Sequence, residues 1–257
     1  MAFLQRNTTI FSGPIPGSVE NLVLNKPSGT VEGDMMIAWV CGDSSTRRNV
    51  TTPSGWSVIY NQSSPDLGGS AQQFGYYKVA TASEPSSYGF LFESSASRYV
   101  GALTSYYDTN GTGTWTLSSL GGANRVSSTS ITSSSISGSG LYVTAFLSDD
   151  QDSPTTNNSP LPEIARNVDD SLGFITYGGD YTATNHTITQ SWSGNTDDKY
   201  ANNVIFAHST TPTTTLGKIN KGGTFKDIPS GKVYVGGVWK NIVKGHLYVS
   251  GIWKEMF

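Results

Sequence analysis

Stops recur so often along this chain that few long elements fit between them. Gly, Pro, Asn, Asp and Ser cut the first 210 residues into short runs rich in apolar, aromatic and β-branched residues. Such runs lie at 35–41, 56–60, 73–79, 88–92, 98–107, 141–147, 172–177, 186–192 and 203–207. Strands average about five or six residues, whereas helices need about ten or more. The runs therefore read as strands. Residues 35–41 are apolar throughout and suit a strand buried on both faces. Only 161–168 reads as a short helix, and parallel βαβ units are absent. About nine or ten strands with this spacing predict an all-β fold, a jelly-roll-like sandwich of two sheets over residues 1–208.

Composition agrees. Charged residues are 14% of the 257, against about 25% in an average soluble domain. Ser and Thr make up about a quarter and aromatics 11%. A helical bundle needs more Ala, Leu, Glu and Lys, and a disordered chain would lack the evenly spread Trp, Tyr, Phe, Val and Ile. Net charge is −3, so no general basic surface offers itself to nucleic acid. No apolar run approaches the roughly 20 residues of a membrane helix. The first six residues lack the basic-then-apolar order of a secretory signal, so synthesis in the cytosol is expected. Cys41 is the single cysteine, which excludes intrachain disulfides and cysteine zinc sites. His186, His208 and His246 show no ligand spacing. No cofactor and no metal is expected.

The last 44 residues differ. From Thr214 onward there are seven lysines, no arginine and two acids, a net of +5, which leaves about −8 on the rest. Thr and Pro crowd residues 209–217, as in an extended linker. Beyond it, 218–257 repeats itself every 14 residues: Gly223, Gly237 and Gly251; Phe225, Trp239 and Trp253; Lys226, Lys240 and Lys254. Gly236-Gly237 suits a two-residue hairpin turn, in which both positions need positive φ. That turn pairs Tyr234 with Trp239, and the third unit pairs Tyr248 with Trp253. Three such hairpins expose aromatic area that one chain does not readily bury, which favours a homotrimer.

Several segments resemble accessory virion proteins of tailed bacteriophages. They are Gly33-Asp34-Met35-Met36-Ile37-Ala38-Trp39-Val40, Thr52-Pro53-Ser54-Gly55-Trp56, and Tyr76-Tyr77-Lys78-Val79-Ala80 with Glu84-Pro85-Ser86. The units Tyr234-Val235-Gly236-Gly237-Val238-Trp239-Lys240 and Tyr248-Val249-Ser250-Gly251-Ile252-Trp253-Lys254 are similar to C-terminal repeats of phage tail and head-surface proteins. The resemblance covers about 20–105 and 218–257. It implies a β-sandwich displayed on a virion, often as a trimer, with other capsid or tail proteins as partners and no catalytic residue. Tail fibre, receptor-binding and capsid-decorating roles all fit. Phe225, Tyr234, Trp239, Lys240, Tyr248, Trp253 and Lys254 are then the anchoring set.

Enzymatic candidates are thin. Glu32, Glu84 and Glu163 read as plain surface groups, and Glu93 ends an aromatic strand. A Gly-x-Ser-x-Gly elbow between strand and helix is missing. Asp149, Asp150 and Asp152, Asp169-Asp170 and Asp197-Asp198 lie in loops without EF-hand spacing, and solvated loop tips are the expectation. Glycan binding is the alternative function. Trp115, in a very polar segment, offers a stacking face, with Tyr106, Tyr107 and Asp108 just before it. The competing expectation is that Trp115 caps the end of the sandwich.

Overall fold

Met36, Ala38 and Val40 face one way along their strand and Met35, Ile37, Trp39 and Cys41 the other, and both sets are buried. A strand buried on both sides needs a layer of structure over each. That requirement explains the architecture of a computed structural model, which describes residues 3–13, 21–43, 49–61, 71–93, 98–111, 113–121, 124–168, 172–194 and 196–210, with the backbone of six short strands beyond 217.

The first eight strands are β1 (Phe3–Gly13), β2 (Asn21–Asn25), β3 (Met35–Asp43), β4 (Val50–Thr51), β5 (Ser57–Asn61), β6 (Ala71–Val79), β7 (Ser87–Phe92) and β8 (Arg98–Asp108). They form one sheet in the order β1-β8-β3-β6-β5 and a second in the order β2-β7-β4, all antiparallel. First beside last, second beside seventh, third beside both sixth and eighth is the winding of a jelly roll. The fifth strand has joined the edge of the first sheet instead of the second. Leu22, Leu24, Phe90 and Phe92 of one sheet meet Met36, Val40, Phe74 and Tyr76 of the other to form the core.

The next strands repeat that winding: β9 (Gly113–Leu120), β10 (Asn124–Ser127), β11 (Ser130–Thr132), β12 (Ile136–Ser148), β13 (Pro154–Asn157), β14 (Glu163–Val168), β15 (Gly173–His186), β16 (Thr189–Trp192) and β17 (Asp198–Thr210). One sheet runs β10-β17-β12-β15-β14, with β9 also on β17, and the other β11-β16-β13. β9 and β10 lie end to end along β17 as β1 lies along β8. Ile131, Tyr142, Phe146, Ile175, Tyr177, Trp192 and Ile205 form this second interior.

The two large sheets face each other. Met35, Ile37, Trp39, Cys41 and Val100 meet Leu141, Val143, Ala145, Leu147, Phe174 and Phe206 in a third core. Residues 3–210 therefore stack four sheets, with the middle two buried on both faces. The expectation of one two-sheet sandwich is corrected to two of the same topology; the all-β, jelly-roll-like class stands.

The short helix expected at 161–168 is also corrected. Residues Glu163–Val168 are the edge strand β14 on β15, with Ala165 turned into the shared core and Glu163 and Arg166 outward. Short apolar runs do not distinguish helix from strand by period alone, and here the sheet edge decides.

The chain divides into the units Met1–Thr210 and Thr211–Phe257. Ser209 and Thr210, expected in the linker, still pair with Thr114 and Gly113; residues 211–217 lie outside the described residues. In the second unit β18 (Lys218–Lys221) pairs β19 (Thr224–Asp227), β20 (Lys232–Val235) pairs β21 (Val238–Asn241), and β22 (His246–Val249) pairs β23 (Ile252–Glu255). In register, Tyr234 stands opposite Trp239 and Tyr248 opposite Trp253. The turns at 222–223, 236–237 and 250–251, and the side chains of Phe225, Tyr234, Trp239, Lys240, Tyr248, Trp253 and Lys254, lie outside the described residues.

Candidate functional site

At one end of the seam between the sandwiches, polar groups from both halves converge. β8 ends on Tyr107 and Asp108, β17 brings His208, β9 brings Trp115, and the turn before β3 brings Gly33 and Asp34. Asp108 is buried, and its Oδ2 accepts from His208 Nδ1 at 2.8 Å; both side chains are almost fully covered. Its Oδ1 accepts from the backbone and side-chain nitrogens of Asn110, each at 2.8 Å. Burial works to raise the Asp108 pKa, but the donors from Asn110 and His208 outweigh it and hold the carboxyl below its ordinary value.

Trp115 is 8% exposed. Its Nε1 donates to Gly33 O at 2.9 Å, its ring lies 4.4 Å from His208 and 5.3 Å from Phe3, and it bridges one sandwich to the other. A sugar needs an open aromatic face, and this ring has none. Tyr106 is likewise buried in the shared core. Trp115 and Tyr106 are therefore corrected from contact residues to seam residues, while Asp108, bonded to His208 and Asn110, borders a depression. Tyr107 is half-buried, with the Arg6 guanidinium 4.2 Å above its ring. Arg6 also pairs with Asp34 at 2.5 Å, and the same Asp34 oxygen accepts from Val31 N at 2.9 Å.

Two depressions flank His208. One, about 130 Å³, lies among Arg6, Glu32, Asp34, Tyr107, Asp108 and Gly111. The other, about 330 Å³, lies among Phe3, Ser139, Gly140, Asp180, Thr182 and Ala207. An aspartate–histidine pair is two thirds of a hydrolytic triad. The hydroxyls that line the second depression, Ser139 Oγ and Thr182 Oγ1, are hydrogen-bonded to each other at 2.9 Å across β12 and β15. Among the described residues no group of three or more His, Cys, Asp or Glu is gathered as for a metal ion. Asp169 and Asp170 lie outside them.

Sequence reasoning missed what Glu84 does. It reads as a surface group in a turn, yet its side chain is only 2% exposed. It accepts from Lys78 Nζ at 2.7 Å, Tyr88 Oη at 2.5 Å, Thr81 N at 2.7 Å and Thr81 Oγ1 at 2.8 Å. Burial alone would raise its pKa; these donors reverse that and hold it at about 2. The tight turn between β6 and β7 supplies two of them, which the spacing Thr81-x-x-Glu84 could have signalled. Glu163 and Arg166 form an exposed two-pronged pair, and Glu93 accepts from Asn49.

Comparison with family models, with curated proteins and with solved structures finds no match for this chain.

Proposed function

We propose that this chain is a non-enzymatic structural protein, built to hold and present surfaces. One observation carries the reading: the groups able to do chemistry are committed to one another. Asp108 holds His208, Asp34 holds Arg6, Glu84 holds Lys78 and Asp152 holds Lys199, and all four carboxylates are buried in the double sandwich. More particularly, the motifs at 33–40, 52–56 and 76–86 and the repeats at 234–240 and 248–254 support a place on the surface of a tailed-phage virion. There it serves as a tail-fibre, receptor-binding or capsid-decorating protein. The basic hairpin repeat is the particle anchor or trimerisation element, and the acidic sandwiches face outward. Gold-labelled antibody on intact particles tests this. Label on head or tail is expected, and particles without label would sink the virion reading. Deleting 211–257 should abolish particle association and lower the sedimenting mass from trimer to monomer.

A second reading, recognition of a host surface glycan, draws on the larger depression beside His208. Asp180, Ser139 and Thr182 line it and offer the carboxylate and hydroxyls that a sugar ring bonds to. Asp180→Asn should weaken retention on immobilised host polysaccharide at least tenfold; unchanged retention would remove that depression from consideration.

A further inference from the structure

The two jelly rolls act as internal controls for each other, and at one corner they differ. Cys41 pairs with Val100 in the first, and Leu147 with Tyr200 in the second; all four side chains lie in the shared seam. The next pair along, Gly42 with Tyr99, therefore corresponds to Ser148 with Lys199. Tyr99 turns into the first interior and packs edge-on against Phe92 at 4.9 Å. Lys199 shares the inward face of β17 with Ala201 and Ile205, and its side chain is 0% exposed. Its Nζ lies 2.6 Å from Oδ2 of Asp152, whose own side chain is 5% exposed, and Ser148 Oγ donates to that oxygen at 3.1 Å.

One copy fills this corner with aromatic rings, while the other removes two charges from water. Burying an ion pair is often no better than packing apolar residues of similar volume there, because desolvation consumes the Coulombic gain. A neutral link between the same two side chains would carry no such cost. We propose that Lys199 Nζ and Asp152 Cγ condense into an intramolecular amide.

The atoms balance without any added reagent. A proton passes from the ammonium to the carboxylate, the Nζ lone pair attacks Cγ, and the Ser148 hydroxyl hydrogen-bonds the carboxyl oxygen as charge builds on it. The Cγ–O bond then breaks. One carboxylate oxygen leaves as water with two of the three ammonium protons, and the third remains on the amide nitrogen. Both reactants sit where bulk water does not reach, and their contact is already at bonding-partner distance, so proximity supplies the advantage. The link ties the start of β17 to the β12–β13 connection. It closes a loop of chain as a disulfide would, in a protein whose single thiol, Cys41, is buried and unpaired.

The proposal stands independently of the virion reading, and intact-mass spectrometry of the purified full-length chain tests it. The wild-type protein is expected to weigh about 18 Da less than its sequence, one water. A protease digest is expected to yield a branched peptide joining Asp152 to Lys199. Lys199→Met and Asp152→Ala should each return to the sequence mass. A wild-type chain at full sequence mass overturns the proposal whatever the variants do. So does a water loss that maps to any other residue, such as a cyclised aspartate.

Discussion

Glu84 and Trp115 show how much one side chain's role depends on its neighbours. Four donors surround the Glu84 carboxylate, so its charge is stabilised on folding. A carboxyl whose pKa is lower in the folded chain adds stability above its unfolded value, near 4.5, and that stability is lost as pH falls toward about 2. Glu84→Gln should therefore destabilise by on the order of 2 kcal/mol at pH 7. The gap to the wild type should close between pH 4.5 and 2 in urea titrations; a gap independent of pH would refute the electrostatic account. Trp115→Ala removes a buried indole and the hydrogen bond to Gly33, at a cost of about 3–5 kcal/mol. Its effect is expected on melting temperature, with any sugar affinity of the folded variant unchanged.

At the scale of elements, β6 runs antiparallel beside β3, and Gly75 stands opposite Trp39. A Cβ on Gly75 would come within 2.4 Å of the Trp39 ring, so the glycine makes room for the indole that fills the seam. Gly75→Ala should cost about 1–3 kcal/mol by overpacking, and Trp39→Leu in the same chain should recover part of it. A double mutant no better than Gly75→Ala alone would show that the strain lies elsewhere. Strands of this kind were legible in the sequence: every run of apolar residues from 35–41 to 203–207 falls in or across a strand. The strands that escaped are polar or short. β1 shows only Phe3 and Phe11 as large inward residues, half of β9 is Ser and Thr, and β11 and β13 are mostly Ser, Thr and Asn. Their hydrophobic signal is weak, except in β2, where Leu22-Val23-Leu24 is apolar but only three residues long. For the same reason 161–168 looked helical: its apolar residues are few enough to fit either period.

For the whole molecule, the repeated winding was not legible at all. The halves share topology and inward positions, but the residues filling them differ: Met35 answers Leu141, Trp39 answers Ala145, and Tyr99 answers Lys199. One signal was present: residues 35–41 are apolar on both faces, and a two-sheet sandwich covers each strand on one face only, so a further layer was implied without its winding. The candidate site was half legible. Tyr107 and Asp108 do lie at a polar depression, but His208, 100 residues from its partner, could be joined to Asp108 only by the fold. Trp39 and Phe206 stand on opposite sides of one shared core, and Asn202 of β17 donates from Nδ2 to Gln73 of β6 across it. The two jelly rolls should thus unfold together. Calorimetry of residues 1–210 is expected to show a single transition with matching calorimetric and van't Hoff enthalpies; two resolved transitions would mean that the shared core couples them weakly.

That shared core also sets an order of events during synthesis. β1 cannot find β8 until the chain has been made as far as Asp108, and the first jelly roll then leaves the ribosome with Met35, Ile37, Trp39 and Cys41 still facing water. Their cover is about 100 residues behind, several seconds of translation at ordinary speeds. During that interval the nascent half carries a naked apolar sheet, and its fate depends on what reaches that face first: its own second half, a neighbour on the same message, or a chaperone.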